Sequence, residues 1–313
     1  MSHSEQAEVD NEGTHPEGDM GRLHDRVAPG VVRIGRHGGR GCGFVFDEGV
    51  VVTNAHNLRD QTTEVRFADG RAAQARALAV DADGDLAALA VDTGDAPRLA
   101  WADEPVRLGD RVFSVVRLGS GTRVTAGAVS STERSFRGPR GRRVSGAIEH
   151  TAPLARGSSG SPLVDPQGRL VGVSTLRLGD GFTIALAADT TLRARVERLR
   201  TGQEPRRRLL GVALAPAHIS RRLRRSVGLP HRDGVLVRHV ERESPGERAG
   251  IRSGDLITQV GDVAVTSVDD VASALDAAPA DGLQLHVVRG SEEVDLLVRF
   301  DDTEQTASSH GEA

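Results

Sequence analysis

The sequence contains no lysine, so its Lys+Arg total of 40 is entirely arginine. Arginine clusters in such a chain reflect a coding bias before they reflect a ligand. Cysteine is nearly missing as well. Cys42 stands alone, so no intrachain disulfide can form and no covalent staple holds the fold, unlike many secreted domains. Aromatic residues make up only 3% of a chain that is 38% hydrophobic, so Val, Leu, Ala and Ile must fill the interior. No stretch approaches the roughly 20 apolar residues needed to span a bilayer. The opening "MSHSEQAEVDNEGTHPEGD" is polar and acidic, the reverse of a signal peptide's basic and apolar regions. A cytoplasmic protein is therefore expected, with the cell envelope as the alternative if the true N-terminus lies upstream. The net charge of −4 supplies no overall basic field for nucleic acid. Neither an HExxH pair nor a Cys/His ligand spacing is present, and "GRHGGRGCG" (35–43) lacks the Lys-Ser/Thr ending of a phosphate loop. No metal or other cofactor is expected.

What is present is a succession of short β-type runs. The length of 313 residues allows about two domains. Residues 1–20 are poor in apolar residues and read as a disordered tail. From "VVRIGR" (31–36) to "FTIALA" (182–187), a dozen short strands alternate with turn residues, among them "VVVTNA" (50–55), "LAALAV" (86–91), "RVFSVV" (111–116) and "LVGVST" (170–175). Such spacing suggests a sandwich or barrel rather than a parallel α/β sheet. A helix follows over about 190–200, with Asp189 as its N-cap. The polar, proline-containing "TGQEPRRR" (201–208) fits a linker, a smaller α+β unit spans 209–300, and 301–313 returns to tail composition.

Within the first unit, "RGSSGSP" (156–162) sets two adjacent serines between glycines. By itself it fits a flexible connector as readily as a nucleophile on a tight turn. Acyl transfer by serine also needs a base and a carboxylate to orient it. His56 follows the apolar run "VVVTNA", and Asp81, Asp83 and Asp85 cluster in "DADGDLAALAVD" (81–92). The chain order His, Asp, Ser is that of the chymotrypsin-like barrels.

Three stretches, "GCGFVFDEGVVVTNAHNLRD" (41–60), "DLAALAVD" (85–92) and "IEHTAPLARGSSGSPLVDPQGRLVGVST" (148–175), together resemble the HtrA/Deg-type serine proteases, trypsin-like enzymes with C-terminal PDZ domains. The resemblance implies a mostly β chain: a chymotrypsin-like double six-stranded β-barrel over 21–200, then a PDZ domain. It implies an ATP-independent endopeptidase of protein quality control that cleaves unfolded or damaged polypeptides. It assigns His56 as base, Asp85 as orienting acid and Ser159 as nucleophile, with the amides of Gly157, Ser158 and Ser159 as the oxyanion hole. Leu154 and the strand residues Gly172, Val173, Ser174 and Thr175 would wall the specificity pocket. No acid stands among them, so an aliphatic side chain before the scissile bond is expected, not a basic one. The family's Asn and Gly are replaced by Ser158 and Ser161, its Ser by Cys42, and its Asp and Asn upstream of the nucleophile by Thr151 and Ala155. A homotrimer is the assembly the resemblance implies.

The stretch "GVLVRHVERESPGERAGIRSGDLITQVGDVAVTSVDDVASAL" (234–275) resembles a PDZ domain. In such modules a peptide adds as a strand to the sheet edge while backbone amides take its C-terminal carboxylate. The resemblance places that loop at Leu210, Gly211 and Val212, with Val271 and Leu275 on the facing helix. "STERSFRGPRGRRVS" (131–145) reads as a long arginine-rich loop between barrel strands. It and "SRRLRRS" (220–226) lack the interleaved aromatics of a nucleic-acid surface.

Overall fold

The computed structural model describes residues 16–36, 40–119, 121–138, 141–205, 208–279 and 282–300. The chain divides into two compact units between Pro205 and Arg206, inside the stretch read as a linker. The tail read at 301–313 lies outside the described residues, as do residues 1–15 of the tail read at 1–20.

The first unit is two closed six-stranded antiparallel barrels. One comprises β1 (Val31–Ile34), β2 (Gly41–Asp47), β3 (Val50–Thr53), β4 (Thr62–Arg66), β5 (Ala72–Asp81) and β6 (Leu86–Ala90). The other comprises β7 (Arg111–Leu118), β8 (Gly121–Arg137), β9 (Arg143–His150), β10 (Pro162–Val164), β11 (Leu170–Arg177) and β12 (Thr183–Ala187). Along β5 buried residues recur at every second position from Ala75 to Asp81, the signature of one face turned inward. β3, caught between β2 and β6, is buried throughout and reads accordingly as an unbroken Val run.

A third core seals the joint between the barrels. Phe44, Val52 and Leu86 of the first barrel meet Phe113, Val115, Val173 and Ile184 of the second. Two helices plug it. Helix α1 (Pro16–Val27) buries Leu23 and Val27 there, and α2 (Thr190–Arg200) buries Leu192, Val196 and Leu199. The Asp189 side chain caps α2, accepting from the Leu192 amide at 2.8 Å.

Two expectations need correction. The tail was extended to residue 20, yet residues 16–20 open α1, because Met20, Leu23 and Val27 lie three and four apart and form an apolar stripe for the barrel joint. The arginine-rich 131–145 segment is no loop: residues 131–137 continue β8, and 143–145 begin β9. Arg134 is drawn into that ribbon by Glu149 at 2.9 Å.

The second unit, taken by itself, is a sheet ordered β13 (Val212–Ala215), β14 (Val235–Val240), β15 (Leu256–Val260), β17 (Leu283–Arg289), β18 (Glu292–Val298), with β16 (Val263–Ala264) paired to β15. Helices α3 (Ala217–Ser226), α4 (Pro245–Arg248) and α5 (Val268–Ala277) accompany it. Ser267 and Asp270 close a reciprocal capping box on α5. Among the described residues no helix is long and apolar enough to cross a membrane.

Candidate active site

His56 and Ser159 line one cleft, and Asp85 lies behind them, hydrogen-bonded to His56 and, through Thr175, linked to Ser159. β3 ends at Thr53, and a single 3-10 turn, Ala55–Asn57, carries His56 out to solvent. Asp85 closes the β5–β6 turn at 1% exposure with φ of 55°, left-handed backbone that Asp tolerates better than most residues. In that conformation its carboxylate faces the imidazole. His56 Nδ1 lies 2.9 Å from each carboxylate oxygen, and the His56 amide donates to Oδ1 at 3.1 Å. A proton on Nδ1 serves this pair and leaves Nε2 as the accepting nitrogen. Of the three aspartates left open by the sequence, it is Asp85 that meets His56. Asp81 is engaged elsewhere. Arg195 of α2 reaches back to its carboxylate at 2.5 Å and to the Gly84 carbonyl at 3.2 Å, bracing the turn that bears Asp85. A Cβ on Gly84 would lie 1.8 Å from that guanidinium, so the brace requires glycine.

Thr175 occupies a place that reasoning from sequence missed. Read as a pocket wall, it is also the hinge of the site: its hydroxyl donates to Asp85 Oδ2 at 2.6 Å, and its carbonyl accepts from the Ser159 hydroxyl at 3.1 Å. The Ser159 hydroxyl is thus held by Thr175 and not by His56. Asn54 and Asn57 were missed too. The Asn54 side chain holds the Asp85 carbonyl at 2.8 Å, and the Asn57 side chain donates to the Ser159 carbonyl at 2.9 Å. Nothing local in the sequence marks them, since each acts on a residue far along the chain.

The Ser159 turn is fixed from behind. Its carbonyl also accepts from the Cys42 amide at 2.7 Å, the Ser158 carbonyl accepts from the Ser161 amide at 2.9 Å, and the Cys42 thiol lies 3.3 Å from the Gly157 carbonyl. Because each peptide is planar and trans, the Ser159 N–H points opposite to the tethered Ser158 carbonyl. Gly157 sits at φ of 81° with open space where a Cβ would be, so its demand for glycine is conformational. At Gly160 the demand is steric as well: a Cβ would lie 2.1 Å from the Cys42 carbonyl oxygen. Burial pushes the Cys42 thiol up to about 12, so it stays protonated and packs as a small filler. Thr151 ties the approach to the turn, its hydroxyl accepting from the Ala128 amide at 3.0 Å, and the Ala155 carbonyl accepts from the Ser158 hydroxyl at 2.8 Å.

His56, Leu154, the Gly157–Ser159 turn and Thr175 line one cleft of about 360 Å³. Gly172, Val173 and Ser174 do not line it. They sit mid-strand, buried among β10, β11 and β12, and the cleft begins only where β11 emerges past a register shift, at Thr175, Leu176 and Arg177. The pocket assignment along β11 was therefore up to three residues early.

A family profile for the trypsin-like peptidase domain matches residues 41–173, and one for the PDZ domain matches residues 236–289. A probable periplasmic serine endoprotease, DegP-like, of Rickettsia conorii is 28% identical over 86% of this chain and 55% of its own length. The mitochondrial serine protease HTRA2 of Bos taurus is 32% identical over 90% of this chain and 66% of its own. The chain is homologous to the DegP/HtrA serine proteases. Among solved structures, the HtrA-type protease AlgW with decapeptide matches at a TM-score of 0.74 and 22% identity, covering 90% of this chain and 97% of that one, and confirms the fold. This DegP/HtrA homologue spans roughly half to two thirds of the length of those curated relatives. Their periplasmic and mitochondrial names overturn the cytoplasmic expectation and point to an envelope or organelle compartment. A polar opening stretch is a weak guide to compartment.

In the PDZ unit, β13 forms one edge of the sheet. Leu210 is buried, and its carbonyl accepts from the Gly246 amide at 2.8 Å; Val212 opens β13, paired to Val240. Gly211, at φ of 66°, packs so closely that a Cβ would lie 2.2 Å from Ser244 Cβ. On α5, Val271 is buried in the same core as Leu210, while Leu275 is only partly covered.

Proposed function

We propose that the first unit, read as 21–200, is an ATP-independent serine endopeptidase for unfolded or damaged polypeptides, and that the second, read as 209–300, binds peptide C-termini. The observation that carries the first claim is the Asp85–His56 pair, whose imidazole lines the same cleft as Ser159. In this reading the Ser159 hydroxyl turns from the Thr175 carbonyl toward His56 Nε2 as an extended chain enters. His56 takes the proton as Oγ attacks the peptide carbonyl. Asp85, steadied by Thr175, stabilises the imidazolium, which returns the proton to the leaving amine as the C–N bond breaks. A water, deprotonated by His56, then cleaves the acyl ester and restores the Ser159 hydroxyl. The amides of Gly157, Ser158 and Ser159 receive the oxyanion. On the PDZ side, the open edge of β13 accepts a strand and the Leu210–Val212 turn its carboxylate, with Leu275 beside the last side chain.

A second reading, a silent protease fold serving as a peptide scaffold, is favoured by one contact, the Ser159 hydroxyl resting on Thr175. Labelling with a fluorophosphonate probe decides between them. The proposal expects a covalent adduct on Ser159, together with cleavage of unfolded casein that falls on the order of 10⁶-fold in Ser159→Ala. No adduct on the intact chain, with a C-terminal peptide still bound, establishes the scaffold.

A further inference from the structure

The cleft around Ser159 carries two charges that the proposed mechanism leaves unused. Arg156 immediately precedes Gly157, and Arg177 ends β11 two residues past Thr175; both line the cleft and both are exposed. In a chain whose cations are all arginine, exposure by itself means little. What separates these two from Arg59 and Arg123, which likewise have no partner among the described residues, is that they line the cleft. Other arginines of the same unit meet acids: Arg134 meets Glu149 at 2.9 Å, Arg169 meets Asp165 at 2.8 Å, and Arg195 meets Asp81 at 2.5 Å. Arg156 and Arg177 have no hydrogen-bond or ion-pair partner among the described residues. Nor does any Asp or Glu line the cleft, whose remaining side walls include Leu154, Ala155 and Leu176.

A guanidinium keeps its charge at every accessible pH and presents five donors in a planar fork matched to a carboxylate. Two such forks without protein acceptors leave the mouth of the cleft cationic. We propose that Arg156 and Arg177 are specificity residues, which select polypeptide segments bearing Asp or Glu within a few residues of the scissile bond. Leu154 and Leu176 then receive an aliphatic neighbour. This inference rests on the endopeptidase reading above and names its substrate class.

The test uses the full chain and internally quenched peptides with both ends blocked, so that no free carboxylate engages the PDZ unit. Each peptide has a twin in which a single Asp or Glu, stepped across the sequence, becomes Asn or Gln. The acidic twin should show kcat/KM about fivefold higher at one or more positions, the size expected of exposed ion pairs, and the ratio should shrink as salt rises. Arg156→Gln and Arg177→Gln should each lower that ratio, and Arg177→Glu should shift preference toward a Lys-bearing twin. Equal kcat/KM for every acid and amide pair overturns the inference. The same peptides, titrated by fluorescence anisotropy against Ser159→Ala, read the selection without turnover. If the intact chain cleaves nothing, the endopeptidase reading fails; charge selection then stands or falls on whether Ser159→Ala binds the acidic twins more tightly.

Discussion

At the scale of single residues the site is a set of buried polar groups, most of them partnered, although the side-chain oxygens of Asn54, Asn57 and Ser174 have no hydrogen-bond partner among the described residues. His150 is titratable and bears on stability. It is buried at the end of β9 with neither ring nitrogen hydrogen-bonded to a described residue, and burial lowers its pKa from 6.5 to about 4. Above pH 6.5 both folded and unfolded chains hold a neutral ring. As the pH falls from 6.5 toward 4, the unfolded chain takes up a proton that the folded chain refuses, and folding loses stability through that window. Urea melts at pH 7 and pH 5 should show His150→Gln losing less stability than the parent on acidification, by up to about 1.4 kcal/mol per pH unit. Identical slopes would assign the acid sensitivity elsewhere. Sequence alone named His56 and Ser159 through motif and chain order. Asp85 was separated from Asp81 only by resemblance, and the reason lies in the fold: Arg195, 110 and more positions downstream, claims Asp81. Thr175 and Asn57 were illegible for the same cause, since their partners are far along the chain.

Among the elements, strands were legible because period-two burial and turn residues are written locally. "VVVTNA" and "LAALAV" became β3 and β6 within two residues. Register was not: where β11 leaves the sheet and enters the cleft depends on a register shift against β12, which no propensity encodes. Helix α1 was hidden by its neighbours. The acidic, polar start masked an apolar stripe that gains its meaning only against the barrel joint. Leu23, 2% exposed, anchors it. Leu23→Ala should destabilise the first unit by about 2–5 kcal/mol through the cavity it leaves. The single Trp101, which bridges to Leu170 and stacks edge-on against Phe46 with centroids 6.0 Å apart, reports that unit's unfolding in denaturant. A loss under about 0.5 kcal/mol would mean that α1 rides on the barrels without bracing them.

Across the whole molecule, the two units have separate cores, and the second offers a function that can be probed apart from catalysis. With Ser159→Ala to prevent cleavage, a peptide ending in a free carboxylate should bind by calorimetry while its C-terminal amide should not. Gly211→Ala should weaken binding and cost the second unit about 1 kcal/mol or more, because its φ of 66° strains any side chain and Ser244 fills the space a Cβ would need. Equal affinity for the acid and amide forms would remove Leu210, Gly211 and Val212 from the recognition of chain ends.

The Ser159 carbonyl is pinned by the Cys42 amide and by the Asn57 side chain, both from the opposite barrel. The turn proposed to carry the nucleophile is thereby sewn into the seam between the two barrels. Anything that loosens the seam, even slightly, unpicks that stitch before any strand is lost. On the endopeptidase proposal, silence would then come ahead of denaturation, and a chain that still looks intact to circular dichroism would already have released the Ser159 turn.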